Sequence, residues 1–161
     1  MSKILVAGIG NKYLGDDGFG PRVVEELQTR ELPENVEARD VGLCGITLAP
    51  DLSDYNLIIF VDAVNKGGKL GTIYRTGIKA EEVEEIKPGG ANPFTLSIHE
   101  ARLEELLSFA KTIGTLPPSI VVIGCEVQDT QLGEEMSRDV VTAVHSAVEI
   151  ILDELQQGRS T

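Results

Sequence analysis

The chain has 161 residues and a formal net charge of −12 at pH 7, and 42% of its residues are hydrophobic. This length allows one buried core, and the surplus of acidic side chains argues against nucleic acid or an anionic membrane as a partner. Two cysteines give no disulfide framework, and neither a signal peptide nor a membrane span is visible. We therefore expect a cytoplasmic, monomeric protein with a single domain over residues 1–157 and a frayed terminus at 158–161.

Apolar runs that alternate with helical patterns predict an α/β fold. We expect buried strands at 4–7 and 119–127, a buried strand in the run 56–64 that ends in Asp62, a second strand at 35–41, and an edge or antiparallel strand at 70–75. Helices are expected to open near Pro21, to cover 46–53, to start at Ser97 and to run over 137–155. This order predicts a three-layer domain, in which a twisted, mostly parallel (mixed) sheet of about five strands carries helices on both faces.

The segment GIGNKYLGDDGFG, residues 8–20, joins the first strand to the first helix. A glycine-rich turn at this point usually holds a phosphate. Here Asp16 and Asp17 occupy it, and a carboxylate about 4 Å from a phosphate charge repels it by on the order of 4 kcal/mol. Tyr13 stands where a dinucleotide motif has its third glycine, and Asp40 lies farther along than the acid of that motif. A nucleotide-binding protein is therefore an alternative with little support.

Three side chains are candidate metal ligands because they lie where elements meet the carboxyl ends of the strands. Asp17 follows the first strand, Asp62 ends the third, and His99 lies in the first turn of a helix. Two carboxylates and an imidazole suit a divalent transition metal and leave coordination positions open. The helix dipole also favours a neutral imidazole at His99. The alternatives are ordinary roles, in which Asp16 or Asp17 caps the first helix, Asp62 is a turn residue and His99 is a first-turn residue.

Over nearly its whole length the sequence resembles the nickel–iron hydrogenase maturation endopeptidases. Four segments carry the resemblance, namely GIGNKYLGDDGFGPRVVEEL, IIFVDAV, SIHEARLEELLSFA and GCEVQDTQLGEEMS. The last is a variant of the family's late glycine–glutamate segment, which leaves the role of Glu126 open. The resemblance implies a peptide-bond hydrolase, of an aspartic or metal-dependent type. It would remove the C-terminal peptide of a nickel-loaded hydrogenase large-subunit precursor.

The resemblance also implies roles for individual residues. The family's metal ligands fall on Asp17, Asp62 and His99. The nickel would arrive bound to the precursor, and other divalent metals are expected to substitute. Either nickel acts as a Lewis acid or activates a water, or it only anchors the substrate while Asp17 or Asp16 acts as the base.

The stretch DVGLCG, residues 40–45, resembles a family loop that faces the substrate, with Val41 and Leu43 as departures. We therefore expect Asp40, Gly42, Cys44 and Gly45 to bind the substrate. Two further alternatives stay open. One is a nickel-dependent assembly checkpoint that does not cleave, and the other is a cysteine hydrolase that uses Cys44 with His99 as its base.

Overall fold

The computed structural model describes residues 2–42, 46–83, 98–128 and 135–157, with only the backbone at 46 and 98–102. In these ranges the chain forms five strands and three α-helices. The strands are β1 Ile4–Ile9, β2 Val36–Gly42, β3 Leu57–Val64, β4 Ile73–Ile78 and β5 Ser119–Glu126. The α-helices are α1 Phe19–Gln28, α2 Ile98–Ile113 and α3 Arg138–Gln157. Short 3-10 helices cover Gly15–Gly18, Ile46–Asp54 and Ala80–Glu82.

The five strands form one sheet in the order β2-β1-β3-β5-β4. Neighbouring strands are parallel except β4, which pairs with β5 in the antiparallel sense at the edge. Every residue of β1 is buried, whereas the edge strand β2 is only partly buried. A strand covered on both faces reads as a continuous apolar run, which is why the sequence predicts the central strands well. The mixed α/β sheet is confirmed.

Helices cover both faces of this sheet, as predicted. On one face α1 and α3 pack on the sheet through buried side chains such as Val23, Leu27, Val144 and Ile151. On the other face α2 and the 3-10 helix Ile46–Asp54 bury Leu52, Leu106 and Ala110 among their neighbours. Fully burying a side chain of this size contributes about 1.5–3 kcal/mol, so the two layers fix the sheet firmly. None of the helices in the described ranges is both long and apolar enough to cross a membrane.

The structure corrects three of the predicted elements. Strand β3 does not end at Asp62 but continues to Val64, because Ala63 and Val64 pair with the end of β5. The helix predicted at 46–53 is a 3-10 helix that contains Pro50, whose missing N–H cannot serve an α-helical ladder. The edge strand begins at Ile73 rather than at residue 70.

Two helix starts can also be compared with the sequence. Helix α1 begins two residues before Pro21, and a 3-10 turn precedes it. Helix α2 begins at Ile98, the residue after the expected cap Ser97, which itself lies outside the described residues. The terminus 158–161 lies outside them as well.

Candidate active site

The turn after β1 is closed by direct contact between backbones. A Cβ added to Gly20 would collide with the carbonyl oxygens of Ile9 and Val61, and one added to Gly8 would lie 2.6 Å from the Gly20 oxygen. Gly10 has a φ of +140°, which L side chains rarely adopt, and its α-carbon faces the Asp17 carbonyl. These glycines therefore let α1 start against the ends of β1 and β3.

The same turn offers little to a phosphate. The Gly10 N–H donates to the Gly42 carbonyl at 3.1 Å, and the Asn11 N–H donates to Oδ2 of Asp17 at 2.9 Å. A dinucleotide site needs such N–H groups and an open approach to the backbone. Here the Gly10 and Asn11 N–H groups are hydrogen-bonded within the chain, and the Asp17 carbonyl closes the approach to Gly10. Both observations count against the nucleotide alternative.

Asp17 is buried within the 3-10 helix Gly15–Gly18, with 1% of its surface exposed. Its carboxylate accepts the Asn11 N–H, and neither this 3-10 helix nor α1 has a side-chain cap hydrogen bond. The N-cap position of α1 is Gly18, so neither Asp16 nor Asp17 occupies it. A buried carboxylate at the carboxyl edge of the sheet is a candidate functional group.

Asp16 points to another part of the chain. Its Oδ1 accepts the Ser137 N–H at 2.7 Å and its Oδ2 accepts the Ser137 hydroxyl at 3.0 Å. Ser137 directly precedes α3, and a negative charge at a helix N-terminus is favourable. Asp16 thus holds the 3-10 helix that carries Asp17 against α3.

Asp62 is the second buried carboxylate of this region, with 2% of its surface exposed. It lies opposite Gly124 of β5, one residue after Val61, whose carbonyl faces Gly20. The 3-10 helix Gly15–Gly18 also contacts β3. The structure therefore brings Asp17 and Asp62 to the same carboxyl edge, under the start of α1.

His99 is in the first turn of α2, and its imidazole lies outside the described side chains. The other end of α2 can be placed, because Lys111 donates to the carbonyls of Ala80 and Val83, just beyond the end of β4. That end of β4 pairs with the start of β5, at the amino edge of the sheet. A 16-residue helix spans about 24 Å, so α2 begins on the side of the carboxyl edge.

The three-ligand metal site stays a prediction. Among the side chains that the structure describes, no three His, Cys, Asp or Glu residues lie close enough together to hold a metal. The described part of the predicted set is the pair Asp17 and Asp62. Two buried carboxylates on neighbouring elements match the hard-oxygen part of the expected donor set.

The predicted substrate-facing stretch is described only in its first half. Oδ1 of Asp40 accepts the Gly42 N–H at 2.9 Å, and Gly42 has a φ of +61°. Since the Gly42 carbonyl accepts the Gly10 N–H, this stretch leaves β2 beside the glycine turn of β1. Cys44 and Gly45 lie outside the described residues.

Glu126, at the end of β5, is a buried carboxylate that sequence reasoning left without a role, with 1% of its surface exposed. It accepts the Tyr74 hydroxyl at 2.8 Å and the Lys66 N–H at 3.0 Å. Burial alone would raise its pKa, but hydrogen bonds from Tyr74 and from the N–H groups of Lys66, Gly68 and Gly67 lower the pKa below its usual value. The available signals were its place near the end of a predicted buried strand and within the segment that resembles the family's late glycine–glutamate segment.

Cys125 lies next to it and is fully buried. Burial, followed by the charges of Asp16 and Glu126, raises the pKa of its thiol to about 12. A thiol with this pKa stays protonated at neutral pH and is a poor nucleophile. The cysteine-hydrolase alternative therefore has no candidate at Cys125, and Cys44, on which it was based, lies outside the described residues.

Several known proteins with similar sequences and structures are hydrogenase maturation proteases. The sequence model of the hydrogenase maturation protease family matches residues 21–154. The crystal structure of a hydrogenase 2 maturation peptidase from a Thaumarchaeota archaeon is 40% identical, with a TM-score of 0.74 over 96% of this chain and 98% of that one. The hydrogenase-maturating endopeptidase HybD of Escherichia coli is 30% identical, with a TM-score of 0.80 over 97% and 93%. A curated relative, the hydrogenase 2 maturation protease of Escherichia coli, is 29% identical over 97% of this chain and 92% of its own.

Proposed function

Because the chain belongs to the hydrogenase maturation protease family, we propose that it removes the C-terminal peptide of a nickel-loaded hydrogenase large-subunit precursor. The observation that carries this proposal is the pair of buried carboxylates, Asp17 and Asp62, at one edge of the sheet. In the glycine turn that carries Asp17, backbone groups contact one another closely and bind each other's N–H groups. This arrangement favours a site for a metal-bearing protein over a site for a phosphate.

In this proposal the nickel belongs to the substrate. The precursor holds it with its own ligands, and Asp17, Asp62 and His99 complete its coordination, so that only a precursor with its metal in place is held for cleavage. Carboxylate and imidazole ligands suit nickel and also related divalent ions. Both carboxylates are covered in the free protein, so the precursor must displace what covers them.

Hydrolysis then needs a base and a positioned water. Water adds to the peptide carbonyl carbon, the C–N bond breaks, and the proton that the water loses ends on the amine of the released peptide. Where the nickel only anchors the substrate, we assign the base to Asp17, since both oxygens of Asp16 accept hydrogen bonds from Ser137. Asp16 is then a positioning residue that holds the 3-10 helix of Asp17 against α3.

The substrate chain is expected to pass between the glycine turn and residues 40–45. Asp40 and Gly42 border that turn in the structure, and Cys44 and Gly45 continue the same stretch. We further propose that the protein acts as a monomer in the cytoplasm. Size-exclusion chromatography with light scattering tests the first part, and fractionation of cells tests the second.

The proposal is tested by the intact mass of a nickel-loaded precursor from the same organism. It is incubated with the parent protein, with Asp17→Ala, and with His99→Ala. Matched controls are Asp51→Ala and His145→Ala, which change exposed residues of the same type. We expect loss of a C-terminal peptide with the parent and both controls, and a rate at least about 100-fold lower with the site variants.

Two other outcomes would contradict the proposal. A nickel-dependent complex with an unchanged precursor mass would show an assembly checkpoint instead. Cleavage by Asp17→Ala at the parent rate would remove Asp17 from the chemistry.

A further inference from the structure

The turn from Asn11 to Leu14 is tied directly to the carboxylate of Asp17. The Asn11 N–H donates to Oδ2 of Asp17, and the side-chain oxygen of Asn11 accepts the Tyr13 N–H, both at 2.9 Å. The Leu14 N–H donates to the Asn11 carbonyl and the Asp17 N–H to the Leu14 carbonyl, both at 3.1 Å. We call residues 11–14 the Asn11 turn. Its backbone is held at both ends, by the same segment that carries Asp17.

A third contact fixes the middle of the Asn11 turn. A Cβ added to Gly18 would lie 3.1 Å from the α-carbon of Lys12, so the turn packs closely on the segment behind Asp17. The turn is therefore a firm support for whatever its side chains present to solvent.

What it presents is an exposed aromatic ring. Tyr13 is 66% exposed, and among the described residues only Ile113 is another large hydrophobic side chain of this kind, at 44%. The Lys12 ammonium lies 5.3 Å from the centre of the Tyr13 ring and covers one of its faces. An exposed tyrosine on a backbone turn that is hydrogen-bonded to the Asp17 segment, with a cation on one face of its ring, has the make-up of a binding anchor rather than of a packing residue.

We propose that Tyr13 is a substrate-contact residue, on which the C-terminal segment of the hydrogenase precursor packs as it enters the site at Asp17. The proposal rests on the function proposed above. A polypeptide segment is favoured as the occupant because the ring offers apolar area together with a hydroxyl group, and Lys12 offers a cation for a carboxylate or carbonyl of that segment. The net charge of −12 disfavours a nucleic acid on the same ring.

The geometry also predicts how the binding energy is distributed. A rigid aromatic side chain loses little conformational freedom on binding, so its truncation should weaken substrate binding and leave the chemical step alone. Lys12 lies over the ring and remains solvated, so its removal should have a smaller effect.

The experiment measures cleavage kinetics of the nickel-loaded precursor with Tyr13→Ala, Tyr13→Phe and Ile113→Ala. Ile113→Ala is the matched control, because Ile113 is exposed at the far end of α2. We expect Tyr13→Ala to raise KM about tenfold with kcat within twofold of the parent value. Tyr13→Phe should restore most of the affinity, and both Tyr13 variants should unfold at the parent temperature, since the ring is mainly in solvent.

Equal KM values for Tyr13→Ala and the parent would overturn this inference and leave the proposed function intact. A KM for Ile113→Ala as high as that of Tyr13→Ala would also overturn it, because the effect would then not be specific to the Asn11 turn. Failure of the parent protein to cleave any precursor would overturn the proposed function, and this inference with it.

Discussion

After β1 the chain turns into α1 through glycines, and after β3 it turns towards β4 around the carboxylate of Glu126. Both turns lie at the carboxyl edge of the sheet and border a buried aspartate, Asp17 or Asp62. The first turn closes because three glycines leave room for backbone carbonyls. The second closes because a single charged side chain from β5 collects N–H groups from residues 66–68 and the hydroxyl of Tyr74.

The difference shows that the turn after β1 and the turn after β3 are stabilised by different physical effects. The β1 turn depends on shape, so a single methyl group should disrupt it at any pH. The β3 turn depends on a negative charge, so it should weaken when that charge is removed by mutation or by acid. Substitutions at the two turns can separate these contributions.

The largest effect is expected at Gly20. In Gly20→Ala the new methyl group would collide with the Ile9 and Val61 carbonyls, which belong to two central strands and cannot move apart. We expect the free energy of unfolding to fall by about 3 kcal/mol in urea denaturation at pH 7. Gly77→Ala is the control, since a Cβ there meets nothing within 4 Å, and it should change stability by no more than about 0.5 kcal/mol. Equal stability of the two variants would remove the steric account of the β1 turn.

Glu126→Gln should have the second-largest effect. The amide that replaces one carboxylate oxygen donates rather than accepts, so it faces N–H donors of the 66–68 backbone. We expect a loss of about 2 kcal/mol in the free energy of unfolding at pH 7. The exposed Glu25→Gln is the control and should unfold like the parent. A Glu126→Gln protein as stable as the parent would show that other contacts stabilise the turn after β3.

The pH dependence of stability should distinguish the turns further. The pKa of Glu126 is lowered in the folded protein, so its contribution is fully present above the unfolded value of about 4.3 and is lost as the pH falls through the folded pKa. Urea denaturation between pH 7 and pH 3 should therefore give a shallower loss of stability for Glu126→Gln than for the parent. Gly20→Ala should keep the parental slope, because no charge is changed, and a flattened slope in that variant would contradict the comparison.

The smallest effect is expected for Tyr74→Phe. The change removes one of the donors to Glu126 and leaves the N–H groups of residues 66–68 in place. Its ring can still lie under the Lys66 ammonium, which is 5.1 Å from the ring centre. Urea denaturation should show a loss of stability smaller than that of Glu126→Gln, and a loss larger than that one would mean that Tyr74 rather than the backbone organises the turn.

Much of the fold could be predicted from the sequence because its signals are local. The apolar runs of β1, β3 and β5 mark strands covered on both faces, and the stripe of valines and isoleucines marks α3. The end of β3 was misplaced because Asp62 looks like the end of an apolar run, although Ala63 and Val64 continue to pair with β5.

The site was predictable only in part, because its contacts join distant residues. Asp16 binds Ser137, which is 121 residues away, and no sequence pattern near either residue predicts that contact. The backbone N–H groups that bind Glu126 belong to residues 66–68, and Lys66 is 60 residues away from Glu126 in the sequence. The metal-ligand set Asp17, Asp62 and His99, by contrast, followed from fold reasoning, because strand ends and helix starts are expected to converge at one edge. The whole set stays a prediction.

The most direct measurement of the central claim compares nickel-loaded and nickel-free forms of one hydrogenase precursor. Each is incubated with the parent protein and followed by intact mass. The account predicts loss of a C-terminal peptide from the loaded precursor, no loss from the nickel-free form, and restored cleavage when nickel is inserted into that form. Cleavage of the nickel-free precursor at the same rate would contradict the account, because Asp17, Asp62 and His99 would then have no metal to recognise.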